Sequence, residues 1–185
     1  MKQKVEERII APKEIIIGDS NAKVKLVEYG DYESAESVKA HEVVLHLLEE
    51  FEGKIAYTFR HFPLTRIHQR SFKAAEAAIG AAQEGKFWEM HNLLFKNNRN
   101  LGTTSLKGYA REAGVSSKHF LEDLMNSKYG WYVREDQMQG ADAGVRDVST
   151  FFINGVKFEG KPTFHNLSVA IEAALKSRKK IKQAA

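Results

Sequence analysis

The chain has 185 residues, 43% of them hydrophobic, which is enough for the core of one domain and excludes disorder as the overall state. It contains no cysteine, and this excludes disulfides, thiolate metal sites and any redox step on the chain's own sulfur. The net charge of +4 comes from 28 basic and 24 acidic residues interleaved along most of the sequence, the pattern of a solvated surface rather than of a nucleic-acid-binding face.

Residues 1–12 read as a polar arm. Charged residues occupy most of Met1 to Arg8, and Ile9-Ile10 and Ile15-Ile16-Ile17 are too short for the core of a secretion signal. No run approaches the roughly 18 apolar residues of a membrane helix, so the expected location is the cytoplasm, with no membrane contact. Glu14-Ile15-Ile16-Ile17 reads as a short strand closed by the turn-rich Gly18-Asp19-Ser20-Asn21. Val24 to Tyr29 reads as a central strand, broken by Gly30-Asp31. From Ser34, Val38, His41, Val44, Leu45, Leu48 and Phe51 recur at helical spacing, and Gly53 supplies the stop. Ile55 to Arg60 forms a second strand ending at His61-Phe62-Pro63, which makes a β-α-β unit with parallel strands.

Between about residues 66 and 145 no strand pattern occurs. The segment Ala74 to Ala82 carries the small-residue face of a closely packed helix, and Gly85 separates it from a second helix, Phe87 to Phe95. Thr104 or Ser105 is expected to cap a third and Ser116 a fourth, before a last helix carrying Tyr129, Trp131, Tyr132 and Val133. Strand signals return at Thr150-Phe151-Phe152-Ile153 and Val156-Lys157-Phe158, joined by Asn154-Gly155, a pair that tolerates the positive φ of a type I′ hairpin turn. A helix from about Thr163 to Lys179 closes the chain. Lys176, Arg178, Lys179, Lys180 and Lys182 follow there without an acidic residue, which complements the dipole of a helix end and gives no reason to expect nucleic acid.

A β-α-β half, an all-helical insertion and a β-β-α half define an α/β chain with a mixed central sheet, the thioredoxin-like layout, as a single domain over residues 1–185. Four stretches then resemble the DsbA-like thioredoxin-fold oxidoreductases in family order: Leu26 to Glu33, Phe59 to Leu64, Gly85 to His91 and Thr150 to Gly155. The resemblance runs from about Ile16 to Leu175 and implies a thiol-disulfide exchange site at the start of the first helix. There the chain departs from the family. Ser34-Ala35-Glu36-Ser37 stands where the family carries Cys-Pro-x-Cys, and Val148-Ser149 stands where it carries a cis-proline. Because a non-proline cis bond costs about 2.5 to 4 kcal/mol, a trans Val148-Ser149 bond and a reshaped groove are expected. Replacing two cysteines by design would explain two serines but not Ala35, Glu36 and Ser149, so a natural loss of the site is the simpler account.

Ser34, Ala35, Glu36, Ser37, Val148 and Ser149 are thus the positions of a degenerate redox site, with no catalytic, cofactor or metal role assigned. Ser34 reads as the N-cap, accepting from the amide of Glu36 or Ser37. Glu33 and Glu36 suit the positive end of the helix dipole and oppose an anionic ligand. His61 and Pro63 are expected to shape the end of the second strand, and Trp88, Met90 and His91 to be core. The histidines lack metal-ligand spacing. Three functions follow: a redox-inactive protein that binds or scaffolds a protein or peptide partner; an enzyme resembling kappa-class glutathione transferases, with Ser34 holding the glutathione thiolate, which Ser149 and the two glutamates disfavour; and self-association through the unused groove.

Overall fold

The computed structural model describes residues 8–177; the N-terminal arm up to Glu7 and the basic residues from Arg178 onward lie outside them. The first expected strand is shorter than the sequence pattern implies. Pro12–Glu14 makes one 3-10 turn, with Pro12 at its first position, and only Ile17–Gly18 pairs as β1. Proline at that position presets the helical φ, and Gly18, at φ +92°, abuts the Ile55 carbonyl so closely that no side chain would fit.

Val24–Gly30 is β2, Ala35–Glu50 is α1 and Ile55–His61 is β3, with β2 and β3 parallel and Val24 opposite Ile55. Five helices follow: α2 (Ser71–Ala82), α3 (Phe87–Lys96), α4 (Thr103–Glu112), α5 (Phe120–Met125) and α6 (Gly130–Asp142). Thr150–Ile153 (β4) and Val156–Lys157 (β5) form the hairpin, and Phe164–Lys176 is α7. The strands lie in the order β1-β3-β2-β4-β5, with β4 antiparallel to β2 and Leu26 opposite Ile153. This is the mixed sheet of a thioredoxin-like fold with helices inserted between β3 and β4. Asn154 and Gly155 take φ of 51° and 82°, as the Asn-Gly turn requires.

The two halves of the core are of different chemistry. α2 presents Ala74, Ala75, Ala77, Ala78, Ala81 and Ala82, all buried, and a Cβ on Gly80 would sit 3.0 Å from Tyr129 and 3.1 Å from Phe120. Small residues there let α5 and α6 approach. Under α1, aromatic rings dominate instead: Tyr32, Phe59, Phe95 and His91 pack with centroids 4.6 to 5.8 Å apart. Met90 and His91 are buried there and Trp88 packs against the cluster, which places them in the core as expected.

Two helix starts differ from the sequence reading. α4 begins at Thr103 behind Gly102, and α5 begins at Phe120 behind His119. Ser116 does not cap α5, because its amide and hydroxyl both go to Glu84, across to the end of α2. At α7, Thr163 does cap, accepting from the Asn166 amide at 3.3 Å. Among the described residues no helix is long and apolar enough to cross a membrane.

Candidate functional site

The end of β2 brings the chain to the head of α1, where Gly30 and Asp31 stop the strand and Ser34 starts the helix. Ser34 Oγ accepts from the Ser37 amide at 3.4 Å, the capping role expected for it. Ala35 and Glu36 are exposed on the first turn, whereas Ser37 faces inward and is fully buried. Ser37 Oγ accepts from the Asp31 amide at 3.1 Å and lies 2.9 Å from Ser149 Oγ. The helix start and the segment before β4, over 100 positions apart in sequence, therefore meet through two hydroxyl groups.

The Val148-Ser149 peptide bond is cis, which corrects the expected trans bond, and the reshaped groove that was to follow from it has no basis. The local preference of a non-proline residue for trans is overridden by tertiary contacts: Ser149 is held on one side by Ser37 and on the other by Glu28, to whose Oε1 it donates at 2.5 Å.

Glu28 is the residue that sequence reading missed. It sits in β2 at 1% exposure, and Tyr57 on β3 donates to its Oε2 at 2.6 Å. Burial pushes its carboxyl up to about 7, against the smaller opposing effect of the two hydroxyl donors. A signal was present in the alternation of β2, since Val24, Leu26 and Glu28 share one face and the first two are fully buried.

The two glutamates flanking Ser34 separate. Glu36 remains beside the head of α1, exposed and paired with Lys39 at 3.1 Å. Glu33 turns away, and its Oε2 accepts the Arg70 and Ser71 amides at 2.7 and 2.8 Å, so it caps α2 from another segment. Asp31 is structural as well: its carboxylate accepts the Glu33 and Leu64 amides at 2.8 and 2.7 Å and meets His68 Nδ1 at 2.8 Å.

Beside the hydroxyl pair lies a groove of about 610 Å³ between α1, the segment preceding β4 and the start of α7. Ala40, Val43, Val148, Pro162 and Phe164 give it apolar walls, Ser149 lies in its lining, and Glu36, Lys39, Asp147 and Lys161 bring both signs of charge. The lining thus combines apolar walls with two acidic and two basic side chains.

Behind the site, His41, His61 and His91 come from α1, β3 and α3. His61 is anchored at the end of β3, its amide donating to Asp136 Oδ2 at 2.9 Å and its Nδ1 lying 3.2 Å from the same oxygen. His91 Nδ1 lies 2.9 Å from the Tyr32 hydroxyl. Desolvation holds the His41 imidazole down to about 4 and, first among its causes, lowers His91 well below the usual range. Among the described residues no group of three His, Asp or Glu side chains is arranged to hold a metal.

The chemistry follows from the atoms. A thiolate at the head of α1 would gain from the aligned amides, but a serine hydroxyl is too weak an acid to be ionised by that field and needs an adjacent base. Ser34 Oγ is engaged by the Ser37 amide with no base in its hydrogen bonds, and the buried carboxylate of Glu28 is engaged by Ser149 and Tyr57.

A family model described as Thioredoxin matches residues 11–173. Among curated proteins, the Na(+)/H(+) antiporter NhaA 1 of Salinispora arenicola is 38% identical over 158 residues, which cover 85% of this chain and 24% of that protein. The Na(+)/H(+) antiporter NhaA of Nitrosospira multiformis is 31% identical over 162 residues, covering 86% and 26%. The chain thus spans about a quarter of the length of the curated relatives it matches. Among solved structures, oxidised BdbD from Bacillus subtilis superposes with a TM-score of 0.78 at 19% identity, over 90% of this chain and 94% of that one. A thioredoxin-like oxidoreductase from Silicibacter pomeroyi gives 0.78 at 21%, over 89% and 93%. MdbA, a thiol-disulfide oxidoreductase from Corynebacterium diphtheriae, gives 0.68 at 19%, over 86% and 88%. These likenesses establish a shared fold.

Proposed function

The chain belongs to the thioredoxin family, and from that premise we propose that it is a redox-inactive member of DsbA-like form that binds a segment of another polypeptide in the groove beside α1. The observation that carries this reading is the groove itself: about 610 Å³ with apolar walls stands open next to the head of α1, although Ser34 and Ser37 have replaced the sulfur that would act there. An extended peptide suits its mixture of apolar wall and rim charge of both signs. That the curated relatives are longer chains named as Na(+)/H(+) antiporters makes a transporter polypeptide the partner to test first. Residence in the cytoplasm is part of this proposal, and fractionation of cells producing the chain tests it.

The test is equilibrium binding of reduced, carboxymethylated α-lactalbumin, a permanently extended and thiol-free polypeptide. Saturable binding that is lost when Phe164→Glu or Val43→Lys fills the groove with charge supports the reading, and no binding by the folded wild-type chain overturns it. Ser34 favours a second reading, a glutathione enzyme of kappa-class type, because it stands at the head of α1. Its hydroxyl is already engaged as the helix cap, and the exposed Glu36 opposes an anionic ligand. Calorimetric titration with reduced glutathione decides it; the binding-protein reading predicts no heat at millimolar ligand.

A further inference from the structure

Four polar groups run in one line from the head of α1 into the core, and their hydrogens can be counted. A serine hydroxyl has one hydrogen to give and an ionised carboxylate has none. Ser149, which donates to Glu28 Oε1, must therefore accept from Ser37, and Ser37 must accept from the Asp31 amide. Tyr57 fills Glu28 Oε2. With Glu28 ionised the count closes: four hydrogens, from Asp31, Ser37, Ser149 and Tyr57, meet four oxygens. When Glu28 takes up a proton a fifth hydrogen enters the same set of oxygens. If it sits on Oε1 it points at Ser149, whose own hydrogen must turn away, to Ser37 or into the groove that Ser149 lines.

The geometry points to a proton-linked reversal of this hydrogen-bond line: Glu28 ionisation, relayed with Ser37 behind it, sets whether Ser149 faces a bound peptide as an acceptor or as a donor. The functional consequence rests on the groove reading proposed above, while the reversal itself does not. Groups packed on Glu28 from each side leave it free to act in this way. Tyr57 from β3 and Tyr32 from the turn before α1 both hold their protons, pushed up first by burial and then by the Glu28 charge. Ser37 of α1 and Ser149 before β4 are uncharged, and Glu28 makes no ion pair among the described residues. Burial then places the Glu28 carboxyl near neutral pH, where a cell's own pH changes reach it. A peptide carbonyl set against Ser149 would bind with uptake of one proton, and a peptide amide with release of one.

The experiment is a pH titration by NMR that follows the Glu28 side-chain carboxyl carbon together with the Asp31 and Ser37 amides. In the wild-type chain all three are expected to move with one midpoint, and in Glu28→Gln that transition should vanish from both amides. In Ser149→Ala the carboxyl carbon should still titrate while the amides no longer follow it. Ser37→Ala, which leaves the segment before β4 untouched, should uncouple the Asp31 amide in the same way if Ser149→Ala does not fold. Amides that ignore the Glu28 midpoint in the wild-type chain overturn the proposal, and so do amides that follow it equally in the serine variants, since that would be a field effect through space. Neither result bears on whether α-lactalbumin binds, so failure of the line and failure of the groove reading are told apart.

Discussion

Glu28 and His41 act on stability in opposite directions as pH changes. The Glu28 carboxyl is raised in the folded chain, from an ordinary 4.5 to about 7, so its contribution is complete below pH 4.5 and is lost as pH rises through 7. Integrating that linkage between pH 6.5 and 8.5 gives a loss of about 1 kcal/mol. Urea unfolding at those two values should show the loss in the wild-type chain and not in Glu28→Gln. His41 is lowered from 6.5 to about 4 by desolvation, so its contribution is present above pH 6.5 and is lost as pH falls toward 4. Its ring stacks on Phe95 at 4.7 Å, a place that phenylalanine can take. His41→Phe should move the midpoint of acid unfolding, followed by far-UV circular dichroism, to lower pH, with roughly 2 kcal/mol gained at pH 4.5. The sequence exposed the pattern around Glu28 but not its meaning: alternation put the carboxyl on the buried face of β2, whereas its two donors come from residues 29 and 121 positions away. The same holds for Ser149, whose cis bond runs against its own residue preference and is set by neighbours that no local pattern reveals.

At the scale of elements, the ends were less legible than the bodies. The body of α1 follows from its apolar spacing, and Ser34 is legible as its cap because the capping partner lies three residues on. α2 shows the opposite case. Its N-cap residue, Arg70, makes no side-chain cap, and the amides of Arg70 and Ser71 are taken instead by Glu33 from 37 and 38 positions away. Long-range capping of this kind leaves no mark on neighbouring residues. Glu33→Ala should cost about 1 kcal/mol of stability in urea unfolding, the usual effect of losing a cap. Glu36→Ala, an exposed residue on the adjacent turn, should stay within about 0.5 kcal/mol of wild type. Equal effects from both would mean that the charge near α1, rather than the cap on α2, is what matters.

For the whole molecule, the order of strand and helix patterns was sufficient for the fold, since a β-α-β unit and a later hairpin leave few ways to complete one sheet. The hairpin was marked by Asn154-Gly155, and the parallel pairing by the crossover helix. Three isoleucines in a row read as a longer strand than β1 is, because Pro12 and Gly18 confine pairing to two residues. The proposed function requires that this scaffold is intact and that it lacks only the sulfur at the head of α1. Positions 34 and 37 are one helical turn apart at the head of α1, where a thiolate is stabilised. Reduction of insulin disulfides by the wild-type chain and by Ser34→Cys/Ser37→Cys therefore tests this requirement most directly. Background rates are expected for the first and, for the second, an internal disulfide and catalysed reduction. Turnover by the wild-type chain would contradict it, as would a folded double variant whose two cysteines do not pair.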